Sequence, residues 1–406
     1  MTDPGSRRRR PPSYDKAIPP DRADGSSSFV HRALIVTGWF GRIQPLWLLP
    51  VWIALTAAGA WPWAGARGPV ALAYALMLAV DWLQLALLPR ARRSWGPITP
   101  SLLGLALARL VLFSIVGRLV SGAAVLGIAV TGGLLLTALA FYATWIEPFR
   151  IRTTKQGYVH AALTSARPTH ALQISDIHFE GDSPRERALL DLVRAEKPDL
   201  LFLTGDYLNL SSVRDPAAQQ GARRLLGCLE APHGIFAVTG SPPVDVPGVV
   251  PEVFAGLAVR WLVDEAEAVD IDGQVLWILG VRHTYDEARD VRALTDLATS
   301  TPSDGVRILL YHTPDLMPVA ARLGIDLYLC GHTHGGQIRL PLYGALATSS
   351  RWGKRYEQGR YVEGQTTLYV SRGLGVEGLG APRARFLAPP EVVAWRIGSD
   401  ASMLRL

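Results

Sequence analysis

The segment from Leu329 to Gln337 reads LCGHTHGGQ, and it follows an apolar run that begins at Ile325. A strand that ends in this way delivers two imidazoles, His332 and His334, into one loop, and the glycines allow the backbone to approach whatever the imidazoles hold. A lone histidine is more often a satisfied surface or core residue, although imidazole is also a common metal ligand. The segment therefore indicates a metal site if matching ligands occur elsewhere in the chain.

Matching polar side chains occur upstream, where they follow apolar runs that end near residues 175, 204 and 311. A single carboxylate in such a place could simply cap the following helix, but recurrence at successive strand ends predicts a shared site. Two carboxylates and four imidazoles suit two divalent Mn, Fe or Zn ions better than Ca or Mg. The predicted metal ligands are Asp176, His178, Asp206, His312, His332 and His334.

Residues 160 to 398 alternate between two patterns, short apolar runs and amphipathic segments such as Arg185 to Glu196 and Ala217 to Leu229. Strands that alternate with helices predict a layered α/β domain, with its chemistry in the loops after the carboxyl ends of the strands. Cys228 and Cys330 are the only cysteines and both lie in apolar segments, which does not suggest a disulfide framework and fits a reducing compartment.

Residues 45 to 146 are predicted to form an all-α domain of four transmembrane helices. The apolar runs are long enough to span a bilayer, and they form two hairpins. A buried bundle in a soluble domain is the alternative, but tryptophans near the ends of the runs are typical of the membrane interface. The four runs are Pro45 to Ala66, Gly68 to Leu88, Pro100 to Val120 and Gly122 to Ile146.

Basic residues indicate the orientation of these helices. Residues 1 to 30 contain Arg7 to Arg10 and lack apolar periodicity, which predicts a disordered basic tail beside anionic lipid. The positive-inside rule places the tail, the middle loop and the domain after the fourth helix in the cytoplasm, and it predicts a multi-pass protein of the inner membrane. The deciding residues are Arg90, Arg92, Arg93, Arg150, Arg152 and Lys155 on one side, against Arg67 and Arg118 on the other.

Two charged residues, Asp81 and Arg109, fall inside the predicted spans. In antiparallel helices they lie at similar depth, so we expect them to pair with each other rather than face lipid singly. A proton or substrate path is the functional alternative, but one pair in a helical anchor more often fixes the packing of the helices.

The ordered motifs Asp-x-His, Gly-Asp, a lone His and GHTHGGQ resemble those of the calcineurin-like metallophosphoesterase superfamily. Together with LYVSRGLG at Leu368 to Gly375, they are similar to its membrane-attached bacterial phosphodiesterase branch. The resemblance implies a four-layer α/β/β/α sandwich and a binuclear metal site that activates water for attack on phosphorus. It assigns Asp176, His178 and His334 to site one, His312 and His332 to site two, and Asp206 to the bridge, with Asp206 and His332 as catalytic residues.

One departure from the family pattern lies after the third strand, where the chain reads Gly240-Ser241-Pro242-Pro243 in place of Gly-Asn-His-Asp or Gly-Asn-His-Glu. Ser241 replaces the asparagine ligand, and Pro242 replaces an imidazole with a group that neither donates a hydrogen bond nor titrates. The loss of one general acid typically costs about 10²- to 10⁴-fold in rate. Candidates to compensate are Ser241 itself, Asn209, Asp245 and His283, the last of which is more simply a histidine of a surface loop.

The segment from Leu342 to Tyr361 interleaves aromatic and basic residues, as expected for contact with lipid headgroups. Nucleic acid could use the same chemistry, and the segment could also be a purely structural loop over the site, but a membrane tether favours the bilayer and a phosphorylated, lipid-linked substrate. Nothing in the sequence indicates an oligomeric state.

Two functions of different class remain open at this point. The first is a membrane-anchored, metal-dependent phosphohydrolase for a phosphodiester or pyrophosphate, with two divalent metal ions (Mn, Fe or Zn). The second is a degenerate relative that binds lipid or a partner without catalysis, and it rests on Ser241 and Pro242. The six retained ligands favour the enzyme, although a shared fold alone does not identify a substrate.

Overall fold

The computed structural model describes residues 41, 43–119, 123–165, 167–377 and 382–400. The predicted basic tail, residues 1 to 30, lies outside the described residues. The helices are α1 (Leu49–Ala60), α2 (Arg67–Leu87), α3 (Thr99–Leu119), α4 (Ala123–Phe141), α5 (Pro184–Glu196), α6 (Pro216–Leu226), α7 (Val250–Phe254), α8 (Glu287–Ser300) and α9 (Met317–Arg322).

The first four helices correspond to the four predicted spans. In the described part of the chain, three helical segments are long and apolar enough to cross a membrane, at Arg67–Leu87, Thr99–Arg118 and Leu126–Phe149. The first segment, Pro45–Ala60, is shorter than the roughly 20 residues that a span needs. It ends early because Pro62 has no backbone N–H with which to continue an α-helix.

The predicted pairing of the two intramembrane charges is confirmed. Asp81 on α2 and Arg109 on α3 form a salt bridge, and both side chains are fully buried. Arg109 Nη2 also donates to Thr137 Oγ1 on α4 at 2.5 Å, and Gln84 Nε2 donates to Asp81 Oδ1 at 3.2 Å. The pair thus joins three helices, and its partners satisfy charges that apolar surroundings cannot solvate.

The rest of the described chain contains two six-stranded sheets. The first has the order β1-β14-β2-β3-β4-β5 and the second the order β12-β13-β9-β8-β7-β6. The strands are β1 (Arg152–Val159), β2 (Thr169–Ile174), β3 (Leu200–Leu203), β4 (Ile235–Ala237), β5 (Arg260–Trp261), β6 (Glu265–Ile271), β7 (Gln274–Gly280), β8 (Val306–Leu310), β9 (Leu327–Cys330), β10 (Arg339–Leu340), β11 (Gly344–Ala345), β12 (Gly359–Glu363), β13 (Thr366–Val370) and β14 (Glu391–Gly398).

The two sheets pack face to face, and helices cover their outer faces. Phe202 and Trp395 of the first sheet lie in one buried cluster with Ile308 and Leu329 of the second. The outer face of the first sheet packs against α5, α6 and α7, and that of the second against α8 and α9. Strands β2 to β5 are parallel to one another, as are β7, β8, β9 and β13. The predicted four-layer α/β/β/α sandwich is therefore confirmed.

Hydrogen bonds join the sandwich to the ends of the helices. The Arg385 backbone N–H donates to the carbonyl of Ala143 at 2.8 Å, just beyond α4. The Ala388 N–H donates to the carboxylate of Glu147 at 2.6 Å, and the Trp95 N–H between α2 and α3 donates to Glu180 at 3.3 Å. These bonds fix one end of the sandwich beside the helical domain.

We expect Asp81→Leu to lower the stability of the detergent-solubilised chain by about 3–5 kcal/mol, because Arg109 is then buried without its counter-charge. The double variant Asp81→Leu with Arg109→Leu should recover most of that loss, since replacing both partners of a buried pair is often nearly neutral. Denaturant unfolding of the two variants and the wild-type chain measures both effects. Equal stability of the single variant and the wild type would contradict the pairing.

Candidate metal centre

The loops that carry the predicted ligands meet at one end of the sandwich. Asp176 and His178 follow β2, and Asp206 follows β3 in the first sheet. His312 follows β8, and the pair His332 and His334 follows β9 in the second sheet. Because the carboxyl ends of parallel strands lie at the same edge of a sheet, both sheets present their ligands to the same space.

The first group consists of Asp176, His178 and His334, each with one ligand atom within 4.8 Å of the others. His178 Nε2 lies 3.0 Å from His334 Nε2, and His334 Nε2 lies 3.7 Å from Asp176 Oδ1. All three side chains are buried. This is the set that the family resemblance assigned to site one.

The second group consists of Asp206, His312 and His332. His312 Nε2 lies 3.2 Å from Asp206 Oδ2 and 3.1 Å from His332 Nδ1. His312 turns its other ring nitrogen, Nδ1, toward the carbonyl of Thr204 at 2.8 Å, which orients the ring and leaves Nε2 facing the site. This is the predicted site two.

Asp206 lies between the two groups, as expected of a bridging carboxylate. Its Oδ2 is 3.2 Å from His312 Nε2 in the second group and 3.7 Å from His178 Nε2 in the first. Its Oδ1 accepts a hydrogen bond from the backbone N–H of Ser241 at 2.6 Å. One oxygen thus faces both groups while the other is held by the chain.

The backbone is strained at most of these ligands. Asp176, His178, Asp206, His332 and His334 all have positive φ, between 44° and 71°. Residues other than glycine seldom adopt this region, and such strain persists only where the surrounding structure enforces it. The close packing of the loops requires glycine at Gly331, where a Cβ atom would collide with the side chains of Ser175 and Asp176.

The carboxylates and imidazoles shift one another's pKa values. Burial and the Asp206 carboxylate raise the pKa of Asp176. Burial also opposes ionisation of Asp206, but His312 and His178 hold its pKa below the usual range. Burial alone would lower the pKa of His312, yet Asp206 and Asp176 raise it to about 10. Burial and the neighbouring His312 lower the pKa of His332 to about 3, so that His332 stays neutral.

This donor set fits divalent cations. Ring nitrogens that approach within 3.1 Å of each other cannot all carry protons without repulsion, whereas a cation between them uses their lone pairs. Two carboxylates with four imidazoles form a mixed oxygen and nitrogen set of the kind that binds Mn, Fe or Zn. The residues therefore fit the two metal ions that the family resemblance implied.

The Gly240-Ser241-Pro242-Pro243 segment forms a turn at the edge of the second group. Ser241 Oγ lies 3.2 Å from His312 Nε2 and 3.4 Å from His332 Nδ1, so its hydroxyl faces the ligand atoms of the second group. Proline favours turns because its φ is fixed, and here the Ser241 carbonyl accepts from the N–H groups of Val244 and Asp245, each at 2.8 Å.

That turn places Asp245 under the bridging carboxylate. Asp245 Oδ2 accepts from the backbone N–H of Asp206 at 2.8 Å and of Gly240 at 2.7 Å, and its Oδ1 accepts from the Tyr207 N–H at 3.0 Å. Sequence reasoning named Asp245 only as a nearby oxygen donor. Its observed role is to fix the backbone that carries Asp206.

The remaining two residues that could have replaced the missing asparagine and histidine, Asn209 and His283, do not lie among the ligands. Asn209 does not reach the ligands, because its amide donates to the Val376 carbonyl at 2.9 Å and its oxygen accepts from Ser211. His283 is buried rather than on the surface, and its ring centroid lies 6.0 Å from that of His312. Its Nδ1 lies 2.8 Å from Tyr311 Oη, so it belongs to the layer of side chains behind the ligands.

A further carboxylate, that of Glu377, lies beside the first group and was missed at the level of sequence. Glu377, His178 and Asp206 form a third set of potential ligands within 4.8 Å of one another. No motif in the sequence marks Glu377, which follows the LYVSRGLG segment at the end of β13.

Two facing sheets with buried Asp and His clusters at their strand ends define a metal-dependent phosphoesterase fold. No protein-family model matches the chain. The chain is 31% identical over 278 residues to the metallophosphoesterase YkuE of Bacillus subtilis, a match that covers 64% of this chain and 89% of that protein. The chain therefore belongs to the calcineurin-like metallophosphoesterases, and it is a metal-dependent phosphoesterase.

Two further relatives carry functional names. The phosphodiesterase YaeI of Escherichia coli is 28% identical over 223 residues, which cover 52% of this chain and 77% of that protein. The UDP-2,3-diacylglucosamine pyrophosphatase LpxG of Chlamydia trachomatis is 23% identical over 331 residues, which cover 66% of this chain and 97% of that protein.

We expect Asp245→Asn to weaken Mn²⁺ binding by about 10- to 100-fold, because its amide cannot accept from all three backbone N–H groups that hold Asp206. Equilibrium dialysis of the detergent-solubilised chain measures the affinity. Asp191→Asn is the matched control, since Asp191 is largely exposed and pairs with Arg194 on the surface of α5. Equal affinities in the two variants would show that Asp245 does not position the bridge.

Proposed function

We propose that this chain is a membrane-anchored phosphohydrolase that uses two divalent metal ions to cleave a phosphodiester or pyrophosphate bond in a lipid-linked substrate. One observation carries the proposal: the loops around the metal centre pack directly on the ends of the membrane-spanning helices. A soluble substrate would not require this proximity, whereas a lipid-linked substrate cannot leave the bilayer surface.

Arg385 contacts both the metal centre and the helical domain. Its guanidinium Nη2 lies 3.3 Å from His334 Nδ1, and its backbone N–H bonds to the carbonyl of Ala143 at the end of α4. Arg383 lies nearby and bonds to Glu180, whose carboxylate also accepts from the Trp95 N–H in the loop between α2 and α3. The metal centre is thus one side chain away from the helical domain.

The hairpin of β10 and β11 offers an additional contact with the bilayer. Ile338 bridges to Phe386, whose ring packs on that of Tyr142 at the end of α4. A few residues further, the hairpin tip, defined as Leu342 and Tyr343, is exposed. Two other aromatic residues between Leu342 and Tyr361 have a structural role, since Tyr356 is buried and Trp352 packs on the core of the second sheet.

The orientation of the enzyme follows from its basic residues, as the positive-inside rule requires. The sandwich adjoins the side of the helices that carries Arg90, Arg92 and Arg93, and Arg93 Nη1 donates to the Trp145 carbonyl at the end of α4 at 2.5 Å. We therefore propose that the metal centre faces the cytoplasm from the inner membrane. The name of LpxG, which specifies a diacylated nucleotide sugar, supports a lipid-linked pyrophosphate as the substrate class.

In this function, Asp176, His178 and His334 would hold one cation, His312 and His332 would hold the other, and Asp206 would be shared between them. Bound cations of this kind polarise the phosphoryl group and lower the pKa of a water molecule. Asp206 fixes the spacing of the two sites, and Asp245 prevents its loop from moving. His332 is less buried than the other ligands.

The second candidate function is binding without catalysis, and the observation that favours it is Pro242. No proton donor stands at that position, and Ser241 offers a hydroxyl where the family has an amide. The six ligands nevertheless keep an arrangement that suits metal binding. Five of them have strained backbone in this arrangement, and a protein that binds no metal would not need that strain.

We expect Asp206→Asn to abolish Mn²⁺-dependent hydrolysis of an aryl phosphodiester by the detergent-solubilised full chain. The loss should exceed about 100-fold, because changes in the outer shell alone cost about 10- to 100-fold. Asp191→Asn, prepared identically, should retain the wild-type rate. Wild-type turnover no faster than that of Asp206→Asn, with Mn, Fe or Zn, would favour the binding protein.

We expect replacement of both tip residues, Leu342→Ser with Tyr343→Ser, to slow hydrolysis of a lipid-linked pyrophosphate in vesicles by about 10-fold or more. Burial of a large apolar side chain contributes about 1.5–3 kcal/mol, and this contribution is lost. Hydrolysis of a water-soluble diester should not change. Val362→Ser, at a residue that is 63% exposed on β12, is the matched control. Equal rates in vesicles would show that the tip does not contact lipid.

A further inference from the structure

Glu377 reaches the metal centre from the loop that follows β13. Its Oε2 lies 3.7 Å from His178 Nε2, and its side chain is 26% exposed while that of His178 is fully buried. Glu377 therefore lies between a fully buried ligand and solvent.

The backbone of this loop is held close to the first group of ligands. The Gly375 N–H donates to the Asp176 carbonyl at 2.6 Å, and a Cβ atom on Gly375 would lie 2.5 Å from His178 Cβ. The Glu377 N–H donates to Gln337 Oε1 at 2.7 Å, and Arg383 Nη1 donates to the Glu377 carbonyl at 3.0 Å. Hydrogen bonds on both sides of its peptide thus position the Glu377 side chain.

The distances from His178 fall in the range expected of ligands around one cation. With bonds of about 2.1 Å, neighbouring ligand atoms are about 3.0 Å apart and opposite ones about 4.2 Å apart. His178 Nε2 is 3.7 Å from both Asp206 Oδ2 and Glu377 Oε2, and the three residues have ligand atoms within 4.8 Å of one another.

We propose that Glu377 is a seventh metal ligand, which adds a carboxylate to site one beside His178 and Asp206. This proposal rests on the proposed function, because it assumes that the two sites bind metal. Asp176 and Asp206 together offset only half of the charge of two divalent cations, and Glu377 offsets part of the remainder.

The additional carboxylate also selects among metals. Site one then has three carboxylates and two imidazoles, which exceeds the four ligands of a typical tetrahedral zinc site. Oxygen-rich sites of higher coordination number favour Mn²⁺. Glu377 thereby makes site one a manganese site, while site two, with its imidazoles and the Ser241 hydroxyl, does not depend on it.

Mn²⁺ titration of the full chain, followed by electron paramagnetic resonance of the free ion, measures both sites without turnover. We expect Glu377→Gln to weaken one of two Mn²⁺ sites by at least about 10-fold and to leave the other unchanged. Zn²⁺ affinity at the same site should fall less. Glu265→Gln, at an exposed residue of β6, controls for the loss of one negative charge.

The outcomes separate this proposal from the proposed function. Two Mn²⁺ sites that are unchanged in Glu377→Gln would overturn the role of Glu377 and leave the enzyme intact, whereas no saturable Mn²⁺ binding in the wild type would overturn both. Glu377→Asp keeps the charge but withdraws the carboxylate by one methylene, and we expect it to weaken the same site. Full Mn²⁺ affinity in Glu377→Asp would overturn direct ligation.

Discussion

Close contact between buried imidazoles is the constraint on which the site depends. His178 and His334 approach to 3.0 Å, and His312 and His332 approach to 3.1 Å, with Asp206 between the two pairs. Without a cation, each pair can share only one proton in a hydrogen bond, and burial disfavours a second charge. A cation between the rings would instead bind the lone pairs of both nitrogens. The positive φ angles, the glycine at position 331 and the three hydrogen bonds to Asp245 all hold the ligands in place before a cation arrives.

The fold and the six ligands could be predicted because their signals are local. A buried strand is a short apolar run, and a ligand at its carboxyl end is the next polar residue, so Asp176 and Asp206 stand out without tertiary information. Asp245 and Glu377 could not be assigned in the same way. Each acts on a partner across the site, Asp245 on Asp206 and Glu377 on His178, and such contacts between loops leave no periodic pattern. Strand β1 was also missed, because its residues are mostly exposed or half-buried.

The helical domain shows the same distinction between local and non-local signals. The pairing of Asp81 with Arg109 followed from their depth in antiparallel helices. The positions of Arg383 and Arg385 did not follow from any pattern, since basic residues beside a membrane protein's apolar segments usually suggest lipid contact. Both are instead buried, where they join the loops of the metal centre to the helices. Some of the arginines that contribute to the net charge of +6 are therefore buried inside the protein rather than exposed on its surface.

The Ser241 and Pro242 substitutions have a structural consequence as well as a chemical one. The chain loses an imidazole that would protonate a leaving group, and it gains a proline turn that brings Asp245 beneath Asp206. A leaving group that is already stable as an anion, such as a nucleoside phosphate, needs little help from a general acid. An enzyme for a pyrophosphate bond can therefore tolerate Pro242, whereas an enzyme for a simple alkyl phosphodiester would lose most of its rate. The departure from the family pattern thus supports the proposed pyrophosphate substrate on a ground that does not depend on the proposed membrane contact.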